Sequence, residues 1–208
     1  MEELLDFYEE PDDRKRPRLC FDERPCQVLA DSRAPLPLAP GFPTRFDDEY
    51  TRHGTCTLFS MLEPFQGWRH VMVTGRRTTR EFAQCLAELV NVHVPKAEKI
   101  RVVLDHLSTH TPGALYDVFP PVDARRLLRK LECHPTPVPG SWLNMAEIDL
   151  AVLARQCLRR RIPDSHTMAH EVAAWEARRN RHQAAIDWRV TTKDARIKLR
   201  RLYPKESE

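Results

Sequence analysis

The segment that decides the fold is IRVVLD, residues 100–105. Its run of apolar residues predicts a short strand that is buried on both faces, and the strand ends on an acid, Asp105. A second acid, Glu147, lies 42 positions further on, early in a predicted helix that follows the loop GSWLN, residues 140–144. Acids at the end of a strand and at the start of a helix can meet at one edge of a sheet, where carboxylates are able to bind a divalent metal ion.

The neighbouring segments predict the rest of a sheet. RLCFD, residues 18–22, is a short candidate strand that also ends on an acid, Asp22, and Pro25 is expected to limit pairing beyond it. Residues 55–61 and 68–73 read as two further strands on either side of a turn. The remaining predicted elements are helices at 78–90, 115–119, 122–131, 144–160, 165–183 and 192–202 and a weak strand at 132–135.

Three strands, helix, strand, helix, strand and helix is the order of an α/β ribonuclease H-like fold, in which helices flank a mixed five-stranded sheet. A chain of 208 residues with 41% hydrophobic content suits one such domain with additional C-terminal helices. We therefore expect a linker or arm at 1–17, because it is charged and contains prolines. A ribonuclease H-like catalytic domain should follow at 18–164, with a basic C-terminal helical extension packed on it at 165–208.

The charge is unevenly distributed along the chain. The formal net charge is only +3, yet residues 155–208 contain 14 basic against 7 acidic residues. Such an imbalance indicates either a surface that binds a polyanion such as DNA or ordinary solvated helices. The arginines that we consider the best candidates for phosphate contacts are Arg159, Arg160, Arg161, Arg178, Arg179 and Arg181.

Other features exclude several classes of protein. No apolar run approaches the roughly 18 residues of a membrane span, and the acidic first residues are unlike a signal peptide, so a cytoplasmic location is expected. The six cysteines contain no CxxC pair, which argues against a disulfide framework or a zinc cluster. His106 and His110 are four positions apart, but their segment is not a convincing helix, and zinc is not expected there.

Three carboxylates could converge in the predicted fold. The first and fourth strands lie side by side, so Asp22 and Asp105 would emerge at the same edge, and Glu147 would reach that edge from its helix. Such a trio predicts two Mg²⁺ ions about 3.5–4 Å apart, which activate a water or a 3′-hydroxyl at a phosphodiester. The alternative is that the aspartates are turn residues and that Glu147 interacts with the helix dipole.

Three short segments carry a resemblance to a known family. CFDER (20–24), VLDHLSTH (103–110) and GSWLNMAE (140–147) are similar, in order and spacing, to the catalytic blocks of DDE transposases. The similarity is closest to the bacterial insertion-sequence branch of the mariner superfamily, and it covers nearly the whole chain from about Pro17.

The resemblance implies a site and a reaction. Asp22, Asp105 and Glu147 correspond to the catalytic triad that binds two Mg²⁺ (or Mn²⁺) ions. The implied activity is cleavage of transposon-end DNA followed by transfer of the 3′-hydroxyl to target DNA, with a homo-oligomer in the active complex. Supporting roles are expected for His106, where the family usually has Asn, for Trp142 as a wedge in the loop, and for Asn144 as a helix cap.

One departure from the family affects the expected function. Members usually carry an amino-terminal helix-turn-helix region that reads the transposon ends, and residues 1–17 resemble only the linker before the catalytic domain. We therefore expect either a separately encoded helix-turn-helix region or an inactive remnant that acts only as a DNA- or transposase-binding module. A ribonuclease H-like nuclease that acts on RNA is a third possibility.

Overall fold

The computed structural model describes residues 1–34, 39–41, 47–105, 111, 113–138 and 140–202. Five strands form one sheet in the order β3-β2-β1-β4-β5. The strands are β1 (Arg18–Asp31), β2 (Tyr50–Glu63), β3 (Trp68–Thr74), β4 (Ile100–Leu104) and β5 (Leu131–Pro135).

The strand directions identify the fold. β1 pairs with β2 and β2 with β3 in antiparallel fashion, whereas β4 pairs in parallel with both β1 and β5. All five residues of β4 are buried, as its apolar run predicts. The mixed five-stranded sheet and its order confirm the ribonuclease H-like fold.

Helices cover both faces of this sheet. Thr78 caps the second helix through a capping box with Glu81, which explains where that helix begins. No described helix is both long enough and apolar enough to cross a membrane. The α-helices are α1 (Glu2–Glu9), α2 (Thr79–Glu88), α3 (Ala114–Val118), α4 (Pro121–Lys130), α5 (Met145–Gln156), α6 (Ser165–Arg181) and α7 (Thr192–Lys198), with a π-turn at Leu89–His93 and short 3₁₀ turns at Ser141–Leu143 and Arg200–Leu202.

Alternate residues of β1 pack into different cores. Phe21 points into the core formed with α2, α3 and α4. Cys20 points to the opposite face, where it packs with residues of α1 and the start of α5. Further along this second face, Trp175 of α6 is 2% exposed and packs with α5 and the outer strands. The period of two in β1 therefore decides which residues face α5.

The amino-terminal segment differs from the predicted linker or arm. Residues 2–9 form α1, and the side chains of Leu4, Leu5, Phe7 and Tyr8 are buried in the core beside α5. The charged residues and the prolines at 11 and 17 obscured an apolar helical face at positions 4, 5 and 8. The division of the chain at residues 17 and 164 stays a prediction.

β1 is also much longer than predicted. It continues through Pro25 to Asp31 and pairs with β2 beyond the proline. The expectation that Pro25 limits pairing was wrong because β4 pairs only with Arg18–Cys20. Beyond Cys20 one edge of β1 pairs with no strand among the described residues, and a proline is tolerated on such an edge.

Candidate active site

Asp22 and Asp105 occupy matched positions on neighbouring strands. The last pair in the parallel register of β1 and β4 is Cys20 with Val103, and each acid lies two residues further on. Because alternate residues share a face, both acids are placed on the side of the sheet that Cys20 and Val103 occupy. That side is the one on which the start of α5 packs.

Asn144 joins the start of α5 to β1. Its Oδ1 accepts a hydrogen bond from the Ala146 backbone at 3.2 Å, which caps the helix as predicted. Its Nδ2 donates to the carbonyl oxygen of Phe21, the residue before Asp22, at 2.8 Å. The Asn144 side chain is buried, so these bonds hold the first turn of α5, which contains Glu147, against the segment of β1 that carries Asp22.

Tyr8 supports the same junction from α1. Its hydroxyl donates to the carbonyl oxygen of Leu143 at 2.7 Å, just before the Asn144 cap. Tyr8 is not among the predicted site residues, because the charged residues and prolines of 1–17 indicate an arm. The loop is further packed by Trp142, whose ring lies 6.3 Å from that of Trp188 at an interplanar angle of 14°. The position of Trp142 supports its predicted packing role.

The pKa of Asp22 is affected by the charges of the other two acids. Burial is the main cause that raises the pKa of Asp22 to about 7, and the charges of Asp105, Glu23 and Glu147 raise it further. The backbone N–H of Glu23 donates to Asp22 Oδ1 at 2.8 Å and opposes the rise. The charges of Asp105 and Glu147 thus act on Asp22 from the same side of the sheet.

The donor set at this edge suits a hard divalent cation. Asp22, Asp105 and Glu147 offer carboxylate oxygens, which Mg²⁺ and Mn²⁺ prefer as ligands. Glu147 is exposed and Asp22 and Asp105 are half-buried, so the carboxylates are not sealed inside the core. A cation among them would relieve the repulsion that raises the pKa of Asp22. His106, predicted to support the site, lies outside the described residues.

Half of the candidate DNA-binding arginines are engaged within the protein. Arg161 forms an ion pair with Asp31 at 2.7 Å and donates to two backbone carbonyls of the segment before β2. Arg160 pairs with Glu171 of α6 at 2.5 Å. Arg179 lies 3.8 Å from the buried carboxylate of Asp149. These three contacts hold α5, α6 and the sheet together.

The remaining arginines are exposed beside a groove. Arg159, Arg178 and Arg181 are exposed and form no ion pair within the part of the chain that the structure describes. A cavity of about 430 Å³ between β1 and the end of α5 is lined by Arg24, Arg159, Arg160 and Arg161, and Arg178 lines an adjoining cavity of about 340 Å³. We call this surface the arginine groove. It begins at Arg24, two residues beyond Asp22 on β1.

The chain is similar to one known protein family. The sequence profile of a family described as DDE superfamily endonuclease matches residues 17–169. No curated protein matches the chain.

Solved structures with the same fold come from the Mos1 mariner transposase. The Mos1 paired end complex with Mn is 17% identical, with a TM-score of 0.57, over 88% of this chain and 56% of that chain. The Mos1 strand transfer complex is 16% identical, with a TM-score of 0.59, over 88% and 55%. A pre-cleavage Mos1 transpososome is 16% identical, with a TM-score of 0.58, over 88% and 56%. The chain thus spans just over half the length of the Mos1 chains, and at this identity the likeness shows the fold.

Proposed function

The chain belongs to the DDE superfamily endonucleases, and from this premise we propose that it is the catalytic domain of a transposase. The proposed reaction is metal-dependent cleavage at transposon ends, followed by transfer of the 3′-hydroxyl to target DNA. The observation that carries the proposal is the matched register of Asp22 and Asp105, with Glu147 held beside them by the Asn144 cap. The Mos1 complexes, which share the fold, are described as paired end and strand transfer complexes, and this supports the same reaction class.

We propose that Asp22, Asp105 and Glu147 hold two Mg²⁺ ions, or Mn²⁺ in their place. Bound there, the ions would supply the Lewis acidity that activates a water or hydroxyl and stabilises the departing oxygen of a phosphodiester. The carboxylates position the ions, and Asp22 has to lose its proton to do so. Because the pKa of Asp22 is raised to about 7, metal binding should strengthen as the pH rises to that value.

DNA is the proposed partner, and the arginine groove is its proposed path. Arg24, two residues beyond Asp22, and Arg159, beyond the far end of α5, line the groove, and the exposed Arg178 and Arg181 extend the positive surface along α6. Arg160, Arg161 and Arg179 would have to give up their ion pairs to contact phosphate, so their replacement should mainly cost stability. A homo-oligomer in the active complex and a separately encoded helix-turn-helix region complete the proposal.

Cleavage of DNA tests this function. The purified chain, with its helix-turn-helix region if one is separately encoded, should cut a plasmid that carries the DNA flanking its own gene when Mg²⁺ or Mn²⁺ is present. Asp105→Ala should lower the rate of cutting by at least about 10³-fold, because it removes a ligand of the metal ions that stabilise the charge of the transition state. Asp117→Ala, an exposed aspartate on α3, is the matched control and should cut normally.

The outcomes separate the alternatives. Undiminished cutting by Asp105→Ala would contradict the role of the triad. Binding without any cutting by the unaltered chain would favour the binding-module alternative. Preferential cutting of an RNA–DNA hybrid would point instead to a nuclease that acts on RNA.

A further inference from the structure

A second group of potential metal ligands lies far from the three acids. His70 of β3 is paired with Met61, which is paired with Phe21, so His70 is placed on the opposite face of the sheet from Asp22 and two strands away. Glu88 ends α2 and His93 ends the π-turn. His70 Nε2 lies 3.5 Å from Glu88 Oε1, and His93 Nε2 lies 3.4 Å from the same oxygen. One ligand atom from each residue falls within 4.8 Å of the others.

The π-turn is what brings Glu88 and His93 together. Residues five apart on a regular α-helix point about 140° away from each other, because each residue turns the helix by about 100°. Here Val94 N donates to Leu89 O at 2.9 Å, which widens the turn at the end of α2. Such π-turns are rare and occur frequently at functional sites. The π-turn therefore places the Glu88 carboxylate and the His93 imidazole on the same side of the helix end.

The spacing of the ligand atoms agrees with a tetrahedral ion. Zn²⁺ binds His nitrogen and carboxylate oxygen at about 2.0–2.2 Å, so its ligand atoms lie roughly 3.3–3.5 Å apart. The two separations of 3.4 and 3.5 Å at Glu88 Oε1 have this length. Two histidines and one glutamate form a known zinc ligand set, which leaves the fourth position to water. The three side chains are 17–33% exposed, so the group lies close to the protein surface.

Glu176 of α6 orients one of the histidines. Its Oε1 lies 3.1 Å from His70 Nδ1, and its Oε2 accepts the backbone N–H of Val71 at 2.9 Å. A carboxylate on Nδ1 keeps the proton there and turns the Nε2 lone pair towards Glu88, as in carboxylate–histidine–zinc arrangements. His93 Nε2 is buried, and its 3.4 Å contact with Glu88 Oε1 is not aligned as a hydrogen bond. Burial lowers the pKa of His93, which favours the neutral imidazole that a metal requires, whereas the hydrogen bond with Glu176 raises the pKa of His70, so a metal ion there has to displace a proton.

We propose that His70, Glu88 and His93 bind one Zn²⁺ ion, with Glu176 as a positioning residue. The ion would connect the edge strand β3 to the end of α2 and, through Glu176, to α6. The two sites differ in metal preference. The softer nitrogen ligands here favour Zn²⁺, whereas the all-oxygen acid site favours Mg²⁺ or Mn²⁺. The proposal is independent of the proposed transposase function.

Cobalt and zinc titrations test the proposal. Asp22→Ala/Asp105→Ala serves as the background, so that the acid site does not compete. Co²⁺ should bind this chain at one equivalent with the intense visible absorption of four-coordinate cobalt and without a thiolate charge-transfer band. Zn²⁺ should then displace the cobalt and raise the melting temperature. A weak six-coordinate spectrum, or a thiolate band that places the ion on cysteines, would overturn the proposal.

Variants in the same background locate the ion. His93→Gln should weaken zinc binding by at least about 100-fold, and Glu176→Gln, which can still accept from Val71, by about 10- to 100-fold. His166→Gln replaces an exposed histidine of α6 and should bind zinc normally. Equal zinc affinity in His93→Gln and His166→Gln would contradict the assignment. If His93→Gln fails to fold, the cobalt spectrum of the folded background chain remains decisive.

Discussion

Two acidic residues on α5, only two positions apart, have opposite surroundings. Glu147 is exposed, and its charge adds to those of Asp105 and Glu23 in raising the pKa of Asp22. Asp149 is buried, and both of its oxygens lie 3.2 Å from the Nε of Arg69. Glu147 thus belongs to a group of acids that repel each other, whereas Asp149 belongs to an ion pair in which the charges compensate.

The two acids therefore have different roles: Glu147 belongs to the candidate metal site, and Asp149 stabilises the fold. Arg69 is completely buried, and its guanidinium also donates to the carbonyl oxygens of Gly67 and Ala184. The pair therefore fastens α5 to β3 and to the segment after α6. Asp22 on β1 and Asp105 just after β4 instead accumulate negative charge with Glu147, which costs folding energy unless a cation binds. We expect replacements in the two regions to affect different properties of the protein.

Breaking the ion pair should have the largest effect on stability. Asp149→Ala leaves the buried Arg69 without its carboxylate and should lower the free energy of unfolding by about 3–5 kcal/mol. Urea unfolding of the metal-free protein measures this change. Asp105→Asn is the comparison in the acid group and should leave the stability unchanged or raise it. A loss below about 1 kcal/mol for Asp149→Ala would show that the pair does not fasten α5.

Removing the charge of Asp22 should stabilise the metal-free protein. An aspartate in the unfolded chain ionises near pH 4, whereas the pKa of Asp22 in the folded chain is raised to about 7. The folded state therefore binds more protons than the unfolded state between about pH 4 and 7, and this contribution to stability is lost as the pH rises through that window.

Asp22→Asn should abolish this contribution to the pH dependence and stabilise the protein at pH 8 by on the order of 2–4 kcal/mol. Unfolding followed at pH 4, 6 and 8 without divalent metal measures it. Asp117→Asn, which changes an exposed aspartate of α3, serves as the control. The same slope of stability with pH in the unaltered chain and in Asp22→Asn would contradict the crowding of charges.

The Asn144 cap connects the two regions, and its loss should have a smaller effect on stability. Asn144→Ala removes the helix cap and the bond to Phe21 O, and we expect a loss of about 1–3 kcal/mol. Asp164→Ala, which removes the exposed cap of α6, should cost about 1 kcal/mol. Asn144→Ala should also weaken Mn²⁺ binding, because Glu147 is no longer held beside Asp22, while Asp164→Ala should not. Equal Mn²⁺ affinity in both variants would contradict this role of Asn144.

The sequence predicted the sheet and the Asn144 helix cap, but it did not predict the long-range side-chain contacts. The apolar run of β4, the order of the elements and the position of Asn144 before an apolar helix are local signals, and they led to the fold and to the cap. Arg69 and Asp149 are 80 positions apart in the sequence, so no local pattern indicates that they pair. The clustering of His70 with His93 depends on a π-turn, whose backbone departs from the helical period on which the prediction of 78–90 rested.

The arginines show the same limit. Their concentration after residue 155 indicated a basic surface, yet only the tertiary structure distinguishes Arg161, which pairs with Asp31, from the exposed Arg159. Charge counts along a chain carry no information about which charges are neutralised by residues distant in sequence.

Calorimetric titration of Mn²⁺ at pH 8 tests the central claim most directly, because it needs neither DNA nor a partner protein. The unaltered chain should bind two ions, and Asp22→Asn/Asp105→Asn should lose both, whereas Asp117→Asn, which changes an exposed aspartate of α3, should keep them. Binding that is unchanged when the two acids of β1 and β4 are neutralised would contradict the assignment of the metal site to this edge of the sheet.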